Sequence, residues 1–188
     1  MDNTFDKAGA RKHFLAKRAD MTDAERADAS LRLCEEILSL EQFASADVVL
    51  VYYPTKNEPD LLPVANAALA LGKRVAFPIS NTADLTLTFG EITSIDQLHT
   101  GAYGIPEPEA NLPKLTKNSL CIVPALAADK QGFRLGYGKG YYDRFLADFD
   151  GASVCALPDA HLCDKLPTES TDIPVDIIIT QTGVIYTK

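Results

Sequence analysis

The sequence predicts an α/β protein of three layers, α/β/α, around a mostly parallel central sheet. Short β-branched runs such as residues 47–53 are apolar almost throughout, as strands buried on both faces of a parallel sheet are. These runs alternate with stretches of helical period. Several stop at prolines, so loops follow the carboxyl ends of strands, where open α/β sheets place their ligands. No internal repeat, low-complexity tract or linker interrupts the pattern, and residues 1–188 read as a single domain long enough to bury its own core.

Taken in order, residues 4–19 read as a helix with few apolar contacts, Ala8, Phe14 and Leu15, and with Lys7 and Arg11 four apart on one face. Charge alone leaves that face open between a solvated surface and an anion site. Thr22 and Glu25 form a capping box, so a second helix starts there and runs to about Leu40 on the stripe Ala27, Leu31, Cys34, Ile37 and Leu38. The strand at 47–53 gives way to a turn-rich loop, 54–60. Helix 61–71 follows, with Gly72 as its C-terminal cap. Residues 74–78 are a strand that Pro78 should end, and 85–89 alternate apolar and polar as a half-exposed strand does. After a short turn at 95–98 comes Tyr103-Gly104-Ile105-Pro106-Glu107-Pro108, a stiff loop whose tyrosine could stack on a flat heterocycle or simply lead a linker. Residues 120–124 and 153–157 are further strand-like runs, 159–166 are polar and partly helical, and 177–180 precede a turn at Thr182-Gly183 into 184–186.

Composition narrows the function classes. A net charge of −8 argues against nucleic acid and anionic membrane surfaces as partners. No stretch approaches a membrane span and the first residues are charged rather than apolar, so the expected location is cytoplasmic. Cys34, Cys121, Cys155 and Cys163 show no C-x-x-C spacing and read as core thiols. His13, His99 and His161 lack metal-ligand spacing and read as solvated or locally hydrogen-bonded. Two cationic islands stand out, Lys7, Arg11, Lys12, Lys17 and Arg18 without an acid, and Lys130, Arg134, Lys139 and Arg144 against Asp143 alone. Islands of that size suit a small polyanion.

The second island contains Arg134-Leu135-Gly136-Tyr137-Gly138-Lys139-Gly140-Tyr141-Tyr142-Asp143, between a strand-like run and the helix-like Arg144-Phe145-Leu146. Glycines let backbone N–H groups approach an anion, a helix start adds partial positive charge, and Lys139 and Arg134 add full charges, so the expected ligand is a phosphate. The stretch matches neither the P-loop nor the dinucleotide fingerprint, and taken alone it fits a solvated turn equally well.

Residues 124–146 as a whole resemble the 5-formyltetrahydrofolate cyclo-ligase family, also called methenyltetrahydrofolate synthetase. The resemblance implies a CoA-transferase-like scaffold and a monomeric enzyme acting on 5-formyltetrahydrofolate, with or without a polyglutamate tail. ATP and Mg²⁺ would be its cofactors. It implies that Lys7 and Arg11 match an N-terminal Lys-x-x-x-Arg of the ATP site, and that Gly136, Tyr137, Gly138, Lys139, Gly140, Tyr141 and Tyr142 belong to a loop binding ATP and folate. Glu58 matches an acid that contacts folate, Tyr53 a lining position, and Tyr103 the front of an aromatic-x-Ile-Pro-x-Pro element. Asp143 and Asp172 match two magnesium carboxylates. Three positions depart from the family pattern: Ala128 where phenylalanine is usual, His161 where glutamine is common and Thr171 where histidine is common.

On this reading Lys7, Arg11, Arg134 and Lys139 hold the triphosphate, and Gly136, Gly138 and Gly140 offer backbone donors. Lys139, Arg134 and Glu58 carry the chemistry, while Tyr53, Tyr103 and Tyr141 line the folate rings. Two alternatives stay open, a sugar-phosphate enzyme on a related scaffold and a catalytically silent nucleotide-binding module.

Overall fold

The computed structural model describes residues 6–55 and 57–187, so positions 4 and 5 of the expected first helix lie outside the described residues. In chain order the elements are α1 (Lys7–Ala19), α2 (Asp23–Ser39), α3 (Glu41–Ser45), β1 (Val48–Leu50), α4 (Leu62–Ala70), β2 (Arg74–Asn81) and β3 (Thr86–Ile92). Then follow β4 (His99–Thr100), β5 (Pro106–Glu107), β6 (Ser119–Ile122), β7 (Ala127–Asp129), β8 (Arg134–Leu135) and α5 (Tyr141–Ala147). The last are β9 (Ala152–Ala156), β10 (Leu162–Cys163), β11 (Ile177–Thr180) and β12 (Gly183–Tyr186).

Seven strands make the central sheet in the order β12-β11-β9-β6-β1-β2-β3. Its five inner strands are parallel, and the edges β12 and β3 run antiparallel to their neighbours. Successive side chains point to opposite faces, which sorts the apolar runs into two cores. Val49, Phe77, Leu120, Val154 and Ile177 pack with residues of α2, α3 and α4; Val48, Leu50, Cys121, Cys155 and Ile178 pack with Leu146 of α5. That is the expected three-layer arrangement. Helix α2 starts at the expected capping box, with Glu25 N donating to Thr22 Oγ1 at 3.2 Å and Thr22 N donating to Glu25 Oε2 at 2.8 Å. No helix among the described residues is long and apolar enough to cross a membrane.

From β1 the chain steps outward through β2 and β3, then returns to β6 on the other side of β1 and steps the opposite way through β9 and β11. The carboxyl ends of β1 and β6 therefore diverge at a topological switch point, the usual place for a crevice. Glu58 follows β1, and the β7–β8 hairpin follows β6. With β10 the hairpin forms a small second sheet, on which α1 packs by burying Ala10 and Phe14 against Leu126, Ala127 and Leu135.

Pro78 does not end its strand. Residues of even number in β2 turn their peptide groups toward β1, as the bonds from Arg74 N to Asp47 O and from Val51 N to Ala76 O show. Pairing with β1 stops at Ala76, so the missing N–H of Pro78 faces a side with no strand partner, and β2 continues to Asn81 against β3. The next even residue, Ser80, donates its N–H on that side to Glu107 Oε1 at 3.0 Å. The helical part of the 159–166 stretch is a single 3₁₀ turn, Asp159–His161, which leads directly into β10.

All four cysteines are free, and Cys34, Cys121 and Cys155 are buried as expected of core thiols. His13 and His99 are exposed, but His161 is wholly buried, its Nδ1 2.6 Å from the Leu126 carbonyl. That bond spans 35 positions, so it is neither solvation nor a local contact.

Candidate active site

Helix α1 is capped by Asp6, whose carboxylate accepts from Gly9 N at 2.8 Å. At about 100° per residue, positions 7, 11 and 18 fall within roughly 40° of one another, so three cations share one face. Lys7 Nζ donates to Asp172 Oδ1 at 2.7 Å and lies 3.1 Å from Glu169 Oε2. Burial pulls the Lys7 pKa down, but the bonds to Asp172 and Glu169 outweigh it and leave it raised. Arg11 Nε donates to the Gly136 carbonyl at 2.9 Å. Gly138 has φ +89°, and a Cβ there would stand 3.1 Å from Arg11 Cζ, so the loop needs glycine both for its backbone and for the approach of α1.

Arg18 closes the same face. One nitrogen donates to the Ala125 carbonyl, the other donates to the Tyr137 hydroxyl at 3.2 Å and lies 3.8 Å from Glu58 Oε1. The Tyr137 hydroxyl donates in turn to Glu58 Oε1 at 3.2 Å. Glu58 Oε2 accepts from Thr55 N and Thr55 Oγ1 at 2.9 and 3.1 Å, bonds made possible by the tight turn through Asn57, φ +62°. Burial raises the Glu58 pKa against the opposing pull of the Thr55 bonds, Arg18 and Tyr137. Tyr137 is pushed up to about 12, first by burial and then by the Glu58 charge, so its hydroxyl stays a donor at neutral pH.

Arg134 leaves β8 toward the C-terminal segment, donating to the Ile173 carbonyl at 2.6 Å and to Asp143 Oδ1 at 3.1 Å. Ile173 N also donates to Asp143 Oδ1, at 3.2 Å, which brings the carboxylate of the first expected metal position against the peptide beside the second, Asp172. Hard carboxylate oxygens suit magnesium. Yet both are already bonded to cations, and no cluster of three ligating side chains occurs among the described residues. The arrangement fits an ion that arrives with phosphate oxygens and water as its other ligands, rather than one caged by protein.

The aromatic positions lie apart from this cluster. Tyr103, itself at φ +56°, and Tyr141 share a hydroxyl–hydroxyl bond of 2.9 Å, and Tyr141 also donates to the Asn81 carbonyl at 3.4 Å. The bond to Tyr103 is the main reason the Tyr141 pKa rises to about 12. Tyr53 is half-buried against the helix-rich core. The Tyr142 hydroxyl is buried without a hydrogen-bond partner among the described residues. Lys139 is exposed at the loop tip, its carbonyl accepting from Arg144 at 2.9 Å and its ammonium in no ion pair among the described residues.

Thus Lys7, Arg11, Arg134, Gly136, Tyr137, Gly138, Glu58, Asp143 and Asp172 form one connected set, and Gly140 caps α5, which begins with Tyr141 and Tyr142. A cavity of about 290 Å³ lies elsewhere, between α5 and β3, lined by Leu87, Phe145 and Phe149 among others and by no expected site residue. Its charged lining, Arg144, Asp148 and Asp150, holds a single cation, whereas Lys7, Arg11, Arg18 and Arg134 gather around the crevice, which is therefore the candidate site. Arg18 is joined to this set although the sequence showed it only as one more charge of the first island. The signal available was its place four after Phe14, on the stripe that α1 buries.

The family model described as the 5-formyltetrahydrofolate cyclo-ligase family matches residues 3–181. A 5-formyltetrahydrofolate cyclo-ligase of Mycolicibacterium smegmatis is 30% identical over 183 residues, covering 93% of each chain. One of Escherichia coli strain K12 is 27% identical over 176 residues, covering 89% of this chain and 96% of its own. The solved structure of Aquifex aeolicus 5,10-methenyltetrahydrofolate synthetase matches with a TM-score of 0.83 at 32% identity, over 97% of this chain and 93% of that one.

Proposed function

This chain belongs to the 5-formyltetrahydrofolate cyclo-ligase family and is a ligase, and from that premise we propose that it converts 5-formyltetrahydrofolate to 5,10-methenyltetrahydrofolate with ATP and Mg²⁺, releasing ADP and phosphate. The observation that carries the proposal is that α1 joins Asp172 through Lys7 and the 134–140 loop through Arg11 at a switch-point crevice, with Glu58 joined to that loop through Tyr137.

A formyl oxygen leaves poorly until it is a phosphate ester. Its lone pair attacks the terminal phosphorus of ATP and the bond to ADP breaks, a transfer that asks the protein for position and charge neutralisation. Lys7, Arg11, Arg134 and Lys139 would supply the charge, with backbone donors from Gly136, Gly138 and Gly140. The neighbouring folate nitrogen then attacks the formyl carbon, the carbon–oxygen bond breaks, and phosphate leaves with the electron pair. Glu58 would orient that nitrogen and accept its proton, a role for which a raised pKa and a single tyrosine donor suit a buried carboxylate. Tyr53, Tyr103 and Tyr141 would border the folate, and Tyr142 the nucleotide. Asp143 and Asp172 would hold magnesium, which when bound neutralises phosphate charge. A monomer in the cytoplasm, taking folate with or without a polyglutamate tail, completes the proposal.

Mixing protein, Mg-ATP and 5-formyltetrahydrofolate should produce the methenyl chromophore, and omitting ATP or chelating the metal should abolish it. Product without ATP would point to another enzyme, and nucleotide binding without product to a silent module; either result overturns the proposal.

A further inference from the structure

Arg18 is the bulkiest of the fully buried side chains, with 2% of its surface exposed. Burying a guanidinium costs several kcal/mol unless its partners are well placed, and for packing alone a leucine would extend the Ala10–Phe14 stripe. Its partners are not incidental. They are the Ala125 carbonyl beyond β6, the Tyr137 hydroxyl of the glycine-rich loop and the Glu58 carboxylate beyond β1, the three segments that border the crevice. Among the described residues no other cation forms an ion pair with Glu58.

We propose that Arg18 is a positioning residue: its guanidinium fixes where the Glu58 carboxylate and the Tyr137 hydroxyl stand, and ties that placement to the helix bearing Lys7 and Arg11. Two hydrogen bonds and one ion pair converge on the buried guanidinium from different directions, so neither the Glu58 carboxylate nor the Tyr137 hydroxyl can shift without losing its contact with Arg18. The groups facing Glu58 are Arg18 from α1, Tyr137 from the loop, Thr55 from its own turn, Tyr52 from the end of β1 and Tyr142 from α5. Of these only Arg18 is a cation, so without it burial acts on Glu58 with less opposition and the carboxyl holds its proton to higher pH. A carboxyl that keeps its proton cannot take one from the folate. That Glu58 serves folate rests on the function proposed above; that Arg18 places Glu58 does not.

The test pairs a titration with kinetics. In ¹³C-glutamate-labelled protein, the Glu58 carboxyl signal is identified by its loss in Glu58→Gln and followed with pH in wild type, Arg18→Met and Arg18→Lys. Its midpoint should rise by about one pH unit in Arg18→Met and by less in Arg18→Lys, which keeps the charge but cannot reach all three acceptors. In parallel, the acid limb of methenyl formation should move to higher pH. The KM for 5-formyltetrahydrofolate should rise about tenfold while that for ATP changes less than about threefold. Introduced into Glu58→Gln, Arg18→Met should cost less than about twofold in kcat/KM. An unmoved Glu58 midpoint, or losses that add in the double variant, would overturn the proposal. Wild type that forms no methenyl product would sink the folate reading instead, and the titration would still decide the role of Arg18. Should Arg18→Met fail to fold, Arg18→Lys carries the titration.

Discussion

Around Lys7, Arg11 and Arg134 every cation is met by an oxygen of this chain, whereas at Tyr103 and Tyr141 the hydrogen bonds join one phenol to another and one of them to a backbone carbonyl. The charged end is assembled before any ligand arrives, from α1, the glycine-rich loop and residues near 172. The aromatic end is held lightly, and Tyr103 exposes 59% of its surface. Binding energy is therefore needed at opposite ends for different purposes. On the proposed function, a phosphate must draw Lys7 and Arg134 from carboxylates and Arg11 from a backbone carbonyl, while a flat ring need only displace water and separate one hydroxyl from another.

The strongest way to break this comparison is Lys139→Ala, because Lys139 is a loop cation with no ion pair to give up among the described residues. Turnover should fall about 10²–10³-fold with the unfolding midpoint unchanged; near-normal turnover would remove that lysine from the chemistry. Next is Asp172→Asn, which removes the charge of one of the two acids holding Lys7 and leaves Glu169 as the other. The KM for Mg-ATP should change about tenfold, upward if Asp172 serves the metal, downward if it only competes with phosphate for Lys7, so the sign read from initial rates sharpens the metal assignment. Tyr103→Phe should be milder, about threefold on the folate KM. Since the Tyr103 hydroxyl bond is what chiefly raises Tyr141, its loss should lower the Tyr141 midpoint from about 12 toward the ordinary phenol range, followed by phenolate absorbance. His161→Gln should leave turnover at neutral pH as it is and alter only stability. Burial lowers His161 to about 4, so the folded protein refuses a proton that the unfolded chain accepts below about 6.5. Stability present above that value is lost as pH falls from 6.5 toward 4, by about 2 kcal/mol at pH 5, and urea unfolding of H161Q should show a flatter dependence.

Much of this was legible in the sequence where the cause is local. The Thr22–Glu25 box marks the start of α2 because both hydrogen bonds close within four residues. The β-branched runs mark the sheet because burial on two faces leaves no polar positions. The glycine-rich stretch announces its loop, and Lys7 and Arg11 their shared face. What stayed hidden depends on distant partners. The β7–β8 hairpin is spelled by small and polar residues, and its turn is set by Asp129 Oδ1 accepting from Gln131 N and Phe133 N at 3.0 and 3.1 Å. Pro78 misleads because its tolerance depends on where β1 stops. Arg18 is hidden for the opposite reason: charge in a basic helix reads as surface, and only Glu58, Tyr137 and Ala125, 40 or more positions away, make a buried guanidinium tolerable.

The bond between Lys7 and Asp172 spans 165 positions, which has a consequence for how the molecule comes into being. A nascent chain emerging from the ribosome exposes Lys7 long before Asp172, so this pair stays unmade until the segment around 172 has cleared the exit tunnel. Through that interval Lys7 is a cation without its distant acid, and the charged end of the crevice is completed only once the 172 segment has been made.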